Sequence, residues 1–400
     1  MKILHCNTVS TGGGLEQYLY QLFDELTKLG YNNLFLYGEN SGEANLPSTI
    51  KPFYLEKITH NNCDSLSEKL ISVEAIIDQE DPDLIFIHQV LNPSLIDLLT
   101  RMKPSIRFMH GFKFVCPEGK KFFKTKLAIC PHPLSCLCQP RAFLYQCMPR
   151  NPLVGLPVIL RSKKILEIHR KRSLVVVASE YMKTTLLNNG FNPDMITVIP
   201  YFTHLPDDQI DPVADHEPVI FALGRIVFEK GIHHLLHAFA ELRQSARLSI
   251  AGDGPAINGL KALVRQLGLS KQVTFLGWLS RETLRHHYRK STMVVVPSIW
   301  PEPFGIVGIE AMAYEKPVVA FNVGGISDWL QDGVTGLLAC PGDARDLSQK
   351  MSLLLEKPNM AAEMGKMGRE VVNNRFIAEV HMNALIPVFN EAIHLFAQGA

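Results

Sequence analysis

The chain has 400 residues, a length that suits two domains better than one hydrophobic core. Its composition, 46% apolar and 20% charged with a formal net charge of +1, argues against a nucleic-acid-binding protein. The start, MKILHCNTVSTGGG, predicts a first strand and its loop rather than a signal peptide, and no run reaches the roughly 18 apolar residues of a membrane-spanning helix. We therefore expect a cytoplasmic protein whose eight cysteines are mostly reduced thiols or metal ligands.

Apolar runs of strand length recur along the chain, with helical patterns between them. Because these runs are continuous rather than alternating, they predict strands buried on both faces of parallel sheets. The predicted strands span 2–7, 33–38, 83–88, 106–110, 174–179, 196–200, 218–224, 247–252, 273–277, 293–298 and 317–322. Intervening helices are predicted at 232–243, 256–267 and 280–290. The sequence thus predicts an α/β protein with two Rossmann-like domains, each a doubly wound parallel sheet.

The strand series breaks once, in an acidic, proline-containing stretch that we interpret as a linker over 201–217. We predict an N-terminal domain at 1–200, which contains a cysteine-rich insertion at 111–150, and a second domain at 218–382. A C-terminal helix is predicted at 383–400, and its pattern alone does not say on which domain it packs. Ligands of open parallel sheets bind beyond the carboxyl ends of the strands, so we expect the ligand in a cleft between the two domains.

Glycines and cations follow two of the predicted strands. Gly12, Gly13 and Gly14 let backbone N–H groups approach a phosphate at a helix N-terminus, although a flexible turn explains them too. Arg225 and Lys230 could neutralise a diphosphate, or they could be ordinary solvated cations.

The turn AGDGP at 251–255 is explained by a tight strand-to-helix connection. A second interpretation places Gly254 under a nucleotide.

Two glutamates lie in the segment PSIWPEPFGIVGIEAMA. Glu302 is predicted in the loop after a strand, and Glu310 about two turns into the following helix, with glycines keeping its near face open. The N–H groups of Phe304, Gly305 and Ile306 would point at an anion. Carboxylates on both sides of an anion site suit a nucleotide sugar, which has hydroxyls at both ends and phosphates between them. The alternative is a helix that merely bears two acids.

These segments resemble the retaining GT-B glycosyltransferases of glycosyltransferase family 4. The resemblance implies that 1–200, completed by the helix at 383–400, is the acceptor-side domain and that 218–382 is the nucleotide-sugar-binding domain. The match is strong over about 218–340 and weaker at GGGLEQY (12–18), HG (110–111) and VVVASEYMK (175–183). The resemblance implies that Glu302 binds the donor sugar, Glu310 the ribose hydroxyls, and Arg225 and Lys230 the diphosphate. It places beside the diphosphate the backbone of Phe304, Gly305, Ile306 and Val307.

The same resemblance brings His110 near the reacting sugar, although an ordinary histidine at a strand end is the alternative. The residues expected to carry catalysis are Glu302, His110, Lys230 and Arg225. The two cations and a helix N-terminus can stabilise a departing nucleoside diphosphate without a metal. The Asp-x-Asp at 81–83 precedes a strand, on the wrong side of the sheet for a metal–diphosphate site. We therefore expect no catalytic cofactor.

The insertion contains five cysteines, which suggest a structural Zn²⁺ held by four of them, or alternatively disulfides or free thiols. They are Cys116, Cys130, Cys136, Cys138 and Cys147. The spacings lack paired C-x2-C knuckles. Farther on, the stretch 161–173 carries six Lys and Arg residues. With Ile165 and Leu166 facing inward, its cations form either a solvated face or a contact with an anionic membrane at the inner face.

The sequence therefore predicts a glycosyltransferase that moves a sugar from a UDP- or GDP-sugar to a glycan or lipid-linked acceptor. Two alternatives stay open. One is a nucleotide-sugar epimerase of the same fold, which would isomerise a sugar without an acceptor. The other is a non-catalytic sugar-nucleotide binding protein, which we would expect to lack Glu302, Lys230 or His110.

Overall fold

The structure is a computed structural model that describes residues 1–9, 14–39, 46–60, 65–206 and 217–399. The chain divides into two compact units. The first unit comprises Met1–Lys126, Cys130–Tyr201 and Glu379–Ala400, and the second comprises Leu127–Ile129 and Phe202–Ala378. Gly12, Gly13 and most of the predicted linker lie outside the described residues. The predicted domain boundaries stay a prediction.

The first unit is built on a seven-stranded parallel sheet. The strands up to residue 200 are β1 (Lys2–Val9), β2 (Asn32–Glu39), β3 (Lys51–Tyr54), β4 (Leu84–Ile87), β5 (Ser105–Met109), β6 (Phe122–Phe123), β7 (Ala128–Ile129), β8 (Leu174–Val177) and β9 (Ile196–Val198). The sheet order is β3-β2-β1-β4-β5-β8-β9, with parallel pairing throughout. Its central strands are fully buried, as their continuous apolar runs predict.

Helices connect these strands and begin at recognisable capping residues. They are α1 (Gly14–Lys28), α2 (Leu66–Glu80), α3 (Pro93–Met102), α4 (Cys138–Tyr145), α5 (Pro152–Arg172) and α6 (Glu180–Asn188). The Asn92 side chain accepts from two backbone N–H groups at the start of α3, and Asn151 and Ser179 cap α5 and α6 in the same way. Proline occupies the first position of both α3 and α5, where no hydrogen bond is lost.

The second unit is a six-stranded parallel sheet. Its strands are β10 (Val219–Leu223), β11 (Arg247–Ala251), β12 (Val273–Gly277), β13 (Met293–Val296), β14 (Val318–Phe321) and β15 (Gly336–Ala339). Its helices are α7 (Ile232–Ala240), α8 (Ile257–Gln266), α9 (Arg281–Lys290), α10 (Ile306–Ala313), α11 (Ala344–Glu356) and α12 (Pro358–Arg375). The order β12-β11-β10-β13-β14-β15 makes β10 and β13 neighbours from which the chain runs outward in both directions. This topological switch point is where open α/β sheets bind ligands.

The last helix, α13 (Ala378–Gly399), returns to the first unit. His381 donates from Nδ1 to the Pro200 carbonyl at 2.7 Å, and the Tyr18 hydroxyl donates to His381 Nε2 at 3.0 Å. Phe389 packs edge-on against Phe86 of the central sheet, with ring centres 5.6 Å apart. These contacts fix α13 beside α1 and β4.

Each of the eleven predicted strands is present, and the sequence missed four short ones. At the sheet edge, β3 contains a proline and is mostly exposed, so it has no buried apolar run to reveal it. Strand β15 begins with Gly336, where a Cβ would lie 2.1 Å from the Val318 carbonyl oxygen. The close approach of two strands therefore requires the residue type that normally signals a turn.

Candidate functional site

The candidate site lies beyond the carboxyl ends of β10 and β13, in the second unit. Arg225 and Lys230 follow β10, and Ser298 and Glu302 follow β13. All four line one small cavity, together with Gly305 at the start of α10. The structure thus brings together the two cations and the first of the two glutamates that the sequence singled out.

Backbone contacts hold the two loops against each other. The Ile299 N–H donates to the Glu229 carbonyl at 3.0 Å. Gly231 has a left-handed backbone (φ 66°), and a Cβ there would lie 1.8 Å from the Pro297 carbonyl oxygen. Only glycine meets both conditions, so the Lys230-Gly231 pair is needed to seat one loop on the other.

Lys230 and Glu302 form an ion pair in the cavity. Lys230 Nζ lies 2.6 Å from Glu302 Oε1, and the Ser298 hydroxyl donates to the same oxygen. The Glu302 side chain is 5% exposed, whereas that of Lys230 is 30% exposed and lies 5.7 Å from the centre of the Trp300 ring. A nearly buried carboxylate is therefore compensated by a cation that still reaches solvent.

The glycine pair after β14 also holds Glu302. The Gly325 N–H donates to the Glu302 carbonyl at 2.8 Å. A Cβ on Gly324 would lie 2.3 Å from that oxygen, and its φ of 58° favours glycine as well. The Gly324-Gly325 segment therefore packs directly on the backbone of Glu302.

The AGDGP turn packs in a similar way near the other cation, Arg225. A Cβ on Gly252 would lie 1.9 Å from the Gly224 carbonyl oxygen, and one on Gly254 would lie 2.3 Å from that of Ile226. The Ile226 N–H donates to the Asp253 carbonyl at 2.8 Å. These glycines pack the turn against the loop that carries Arg225. A nucleotide contact at Gly254 stays a prediction.

Helix α10 begins at Ile306, and Gly305 precedes it with φ 96° and no side-chain cap. Its first N–H groups therefore have no partner within the helix. A Cβ on Gly308 would lie 1.9 Å from the Trp329 ring, whose Nε1 donates to the Phe304 carbonyl at 2.7 Å. Gly308 makes room for this indole, which corrects the expectation that it keeps the face of Glu310 open.

Glu310 lies little more than one turn into α10, rather than the predicted two, because the helix starts later than expected. The Tyr288 hydroxyl donates to Glu310 Oε2 at 2.8 Å, and burial raises the pKa of the carboxyl group. Glu310 does not belong to the described lining of the cavity that holds Glu302. Sequence reasoning missed Tyr288, Ser298 and Trp329, because they act through side-chain contacts and belong to no motif.

In the first unit, His110 follows β5 and ends a chain of three histidines. Asn33 Nδ2 donates to Phe23 O and Thr27 Oγ1, at 3.3 and 3.0 Å, so Asn33 Oδ1 faces His5 Nε2 at 3.1 Å and accepts a hydrogen bond from it. Burial lowers the pKa of His5 to about 3, so this ring is neutral and its Nδ1 is an acceptor.

Because His5 Nδ1 is an acceptor, the donor and acceptor of every following hydrogen bond are determined. His88 Nε2 donates to His5 Nδ1 at 3.2 Å, and His110 Nε2 donates to His88 Nδ1 at 3.0 Å. The Tyr201 hydroxyl donates to His110 Nδ1 at 2.6 Å. Burial, assisted by the Arg107 charge, holds the pKa of both His88 and His110 well below the ordinary value. His110 is thus a neutral Nε2–H tautomer with both ring nitrogens engaged.

Four of the five insertion cysteines line one cavity in the first unit: Cys116, Cys130, Cys138 and Cys147. Cys136 is exposed and its sulfur lies 3.4 Å from Lys163 Nζ. All five are free thiols, and burial raises the pKa of Cys147 to about 11. Within the described ranges, no three His, Cys, Asp or Glu side chains are arranged to hold a metal ion. The predicted zinc site therefore has no support in the structure.

The basic stretch at 161–173 forms the second half of α5. Ile165 and Leu166 are buried, as predicted, whereas Lys164 and Lys171 are exposed. Arg172 pairs with Asp97 of α3, with Nη1 and Oδ1 2.5 Å apart. The predicted division into an apolar and a cationic face is confirmed.

Two family models match the chain in succession. The model for Glycosyltransferase Family 4 matches residues 12–205, and that for Glycosyl transferases group 1 matches residues 206–371. The chain belongs to these glycosyltransferases. The predicted fold class, α/β of the GT-B type with two parallel-sheet domains, is confirmed.

Curated relatives align mainly with part of the chain. An uncharacterised glycosyltransferase of Methanocaldococcus jannaschii is 36% identical over 162 residues, 40% of this chain and 41% of that protein. The alpha-D-kanosaminyltransferase of Streptomyces kanamyceticus is 34% identical over 155 residues, 38% of this chain and 40% of that protein. The chain thus spans about two fifths of the length of these relatives.

Among solved structures, Anabaena HepE in complex with UDP and glucose is similar over nearly the whole fold. The TM-score is 0.72 at 20% sequence identity, covering 98% of this chain and 100% of that one. At this identity the similarity establishes the fold.

Proposed function

We propose that the protein is a retaining hexosyltransferase that moves a sugar from a UDP- or GDP-sugar to a glycan or lipid-linked acceptor, in the synthesis of a cell-surface polysaccharide or glycoconjugate. The observation that carries this proposal is the Lys230–Glu302 pair, which shares a cavity with Arg225 at the switch point of a parallel sheet. The UDP bound to the structurally similar HepE supports a nucleotide-sugar donor.

The proposed donor site places opposite charges where a sugar diphosphate needs them. Arg225, Lys230 and the N–H groups of Gly305, Ile306 and Val307 would bind the diphosphate. The Lys230 ammonium has three donors, so it can bind a phosphate oxygen while keeping Glu302 as a partner.

Within the same site, Glu302 would accept from donor-sugar hydroxyls and Glu310 from the ribose. Gly13 and Gly14 are proposed to contact the donor through their backbone N–H groups. The cations then stabilise the charge that builds on the leaving diphosphate as the glycosidic bond to it breaks.

We propose that His110 takes part as a neutral group of fixed orientation rather than as a proton acceptor. Both of its ring nitrogens are engaged, and a proton on Nδ1 would reverse the hydrogen bond with Tyr201, whose hydroxyl would then have to accept instead of donate. The buried Arg107 cation further disfavours an imidazolium. In the proposed retaining transfer, the oxygens of the departing diphosphate deprotonate the acceptor hydroxyl, because they are stronger bases than the His110 ring.

The proposed transfer needs no divalent ion, and the two aspartates of the Asp-x-Asp sequence support this. Asp81 pairs with Lys103 at 2.5 Å, and Asp83 accepts from the Lys2 backbone N–H at 2.7 Å, both at the amino end of β4. Transfer should therefore continue in EDTA. Activity that is lost in EDTA and restored only by Mg²⁺ or Mn²⁺ would contradict the proposal.

A donor screen tests the function itself. Thermal shifts with UDP-, GDP- and ADP-sugars should identify one donor that stabilises the protein, and that donor is then incubated with glycan and lipid-linked acceptors. Transfer to an acceptor supports the proposal. Isomerisation of the donor sugar without an acceptor would instead identify an epimerase, and binding without turnover would identify a sugar-nucleotide binding protein.

We further propose that the protein acts in the cytoplasm at the inner face of the membrane.

A further inference from the structure

The first half of α5 exposes an apolar stripe. Leu153, Leu156 and Leu160 recur at the spacing of one helix face, and their exposed fractions are 84%, 44% and 65%. On the opposite face Gly155 and Ile159 are buried. The inward-facing residues alone account for the packing of this helix, so the three leucines are left without a role in the fold.

Helix α4 packs against the buried face of α5 and exposes apolar residues of its own. The Gln139 amide donates to the Arg150 carbonyl at 2.9 Å and lies against Gly155, where a Cβ would meet its Oε1 at 2.0 Å. Ala142, Met148 and Ile159 form a small core between the two helices. The residues of α4 and its start that remain exposed are Leu137, Phe143 and Leu144.

The charge of this region is one-sided. Residues 119–166 contain nine Lys and Arg and no Asp or Glu, although the whole chain has a net charge of only +1. Along α5 the leucine stripe continues into the exposed cations Lys164 and Lys171, which lie three and five turns beyond Leu153, with the exposed Glu167 between them. Exposed leucines beside an excess of cations are the composition of helices that bind at a membrane surface.

We propose that the surface formed by the leucine stripe of α5 and the exposed apolar residues of α4 docks onto an anionic lipid bilayer. The leucines would insert at the level of the headgroups, and the surrounding cations would contact anionic lipids. No helix in the described part of the chain is long and apolar enough to cross a membrane. This surface precedes the basic stretch at 161–173 and adds an apolar element to the contact predicted there.

Charge complementarity favours lipid over a second copy of the chain as the occupant. Self-association through this surface would bring two acid-free segments together, each with nine cations, and like charges would oppose the pairing. An anionic bilayer offers negative headgroups and an apolar interior in one partner.

Vesicle co-sedimentation of the full chain tests the proposal, with phosphatidylcholine vesicles and with vesicles that also contain phosphatidylglycerol. The wild type should bind the anionic vesicles more tightly. The double variant Leu153→Ser/Leu160→Ser should bind them roughly tenfold or more weakly, since it loses two inserted leucines. Ile71→Ser is the matched control, because Ile71 of α2 is 64% exposed and Leu160 65%. Lys164→Gln/Lys171→Gln should reduce the preference for anionic vesicles, whereas Lys261→Gln should not.

The proposal is overturned if the leucine variant binds anionic vesicles as well as Ile71→Ser does, or if the wild type binds neither vesicle. Light scattering on the same proteins without vesicles tests the alternative occupant, a second copy of the chain. Dimers of the wild type that disappear in the leucine variant would identify that second copy. The thermal shift with the donor sugar should be unchanged in every variant. A failed donor screen would therefore count against glycosyl transfer and leave the membrane proposal to the vesicle result.

Discussion

In the second unit, the loops after β10 and β13 carry charged residues that share one cavity. In the first unit, β4 and β5 are followed by the neutral histidines His88 and His110, whose ring nitrogens are hydrogen-bonded. Both sets lie at the carboxyl ends of parallel strands. Lys230 has donors to spare and can exchange or share its partner with a ligand. His110 can accept a new partner only by giving up an existing one. The first arrangement suits binding, and the second suits a fixed geometry.

Removing the cation of the charged site should have the largest effect. Lys230→Gln leaves Glu302 without its ion-pair partner and removes one positive charge from the proposed diphosphate site. We expect kcat/KM for transfer to fall by a factor on the order of 10² or more. The matched control is Lys261→Gln, an exposed cation in the same unit, which should retain wild-type activity. Normal turnover by Lys230→Gln would remove the charged site from the account.

The helix beside the charged site offers a comparison of stabilities. In Gly308→Ala the new methyl group would overlap the Trp329 ring, so we expect the free energy of unfolding to fall by about 1–3 kcal/mol. Gly259→Ala is the control, because Gly259 in α8 has open space around its Cβ position and should gain up to about 1 kcal/mol. Urea unfolding measures both. An equal free energy of unfolding in the two variants would show that Trp329 does not require a glycine at position 308.

The histidine chain should make the protein acid-sensitive. Its folded pKa values lie below the ordinary value near 6.5, so the unfolded chain binds protons first as the pH falls. Stability is therefore unaffected above about pH 6.5 and decreases below it, by up to about 1.4 kcal/mol per pH unit for each histidine. His5→Asn should flatten this slope in urea unfolding, and His394→Asn, at an exposed position, should not. A slope unchanged by His5→Asn would mean that this ring is protonated in the folded protein.

The direction of the hydrogen bonds in the histidine chain predicts a smaller effect, which differs between its Asn33 end and its Tyr201 end. In Tyr201→Phe, His110 should keep the Nε2–H tautomer, because Asn33 still sets the direction through His5. In Asn33→Leu that constraint is gone, and a mixture of tautomers should appear. Nitrogen-15 NMR of the histidine side chains distinguishes the two forms. A single Nε2–H tautomer in both variants, or an Nδ1–H tautomer in the wild type, would contradict the assigned direction.

The sequence predicted the charged site much better than the neutral one, for a physical reason. Arg225, Lys230 and Glu302 lie in loops directly after apolar strands, so strand prediction places them at one edge of the sheet, and the family resemblance assigns them to one site. The histidine chain assembles Asn33, His5, His88, His110 and Tyr201 from five separate segments. No local pattern links them, and only the sheet order brings them together.

Glu310 and the cysteines show where sequence patterns mislead. The two-turn placement of Glu310 failed because Gly305 takes a left-handed conformation and delays the start of the helix. Five cysteines in 32 residues suggested a metal, yet their side chains are not arranged around one in the described residues. Strand periodicity determines where loops lie, but side-chain convergence within an irregular insertion has no such rule.

The most direct test of the account is calorimetric titration of the full chain with UDP and with GDP, in EDTA, for the wild type, Lys230→Gln and Lys261→Gln. The account predicts that at least one nucleoside diphosphate binds the wild type and Lys261→Gln equally well, and that Lys230→Gln binds it at least tenfold more weakly. Equal binding to all three proteins, or none to the wild type, would show that the cavity of Arg225, Lys230 and Glu302 is not a diphosphate site.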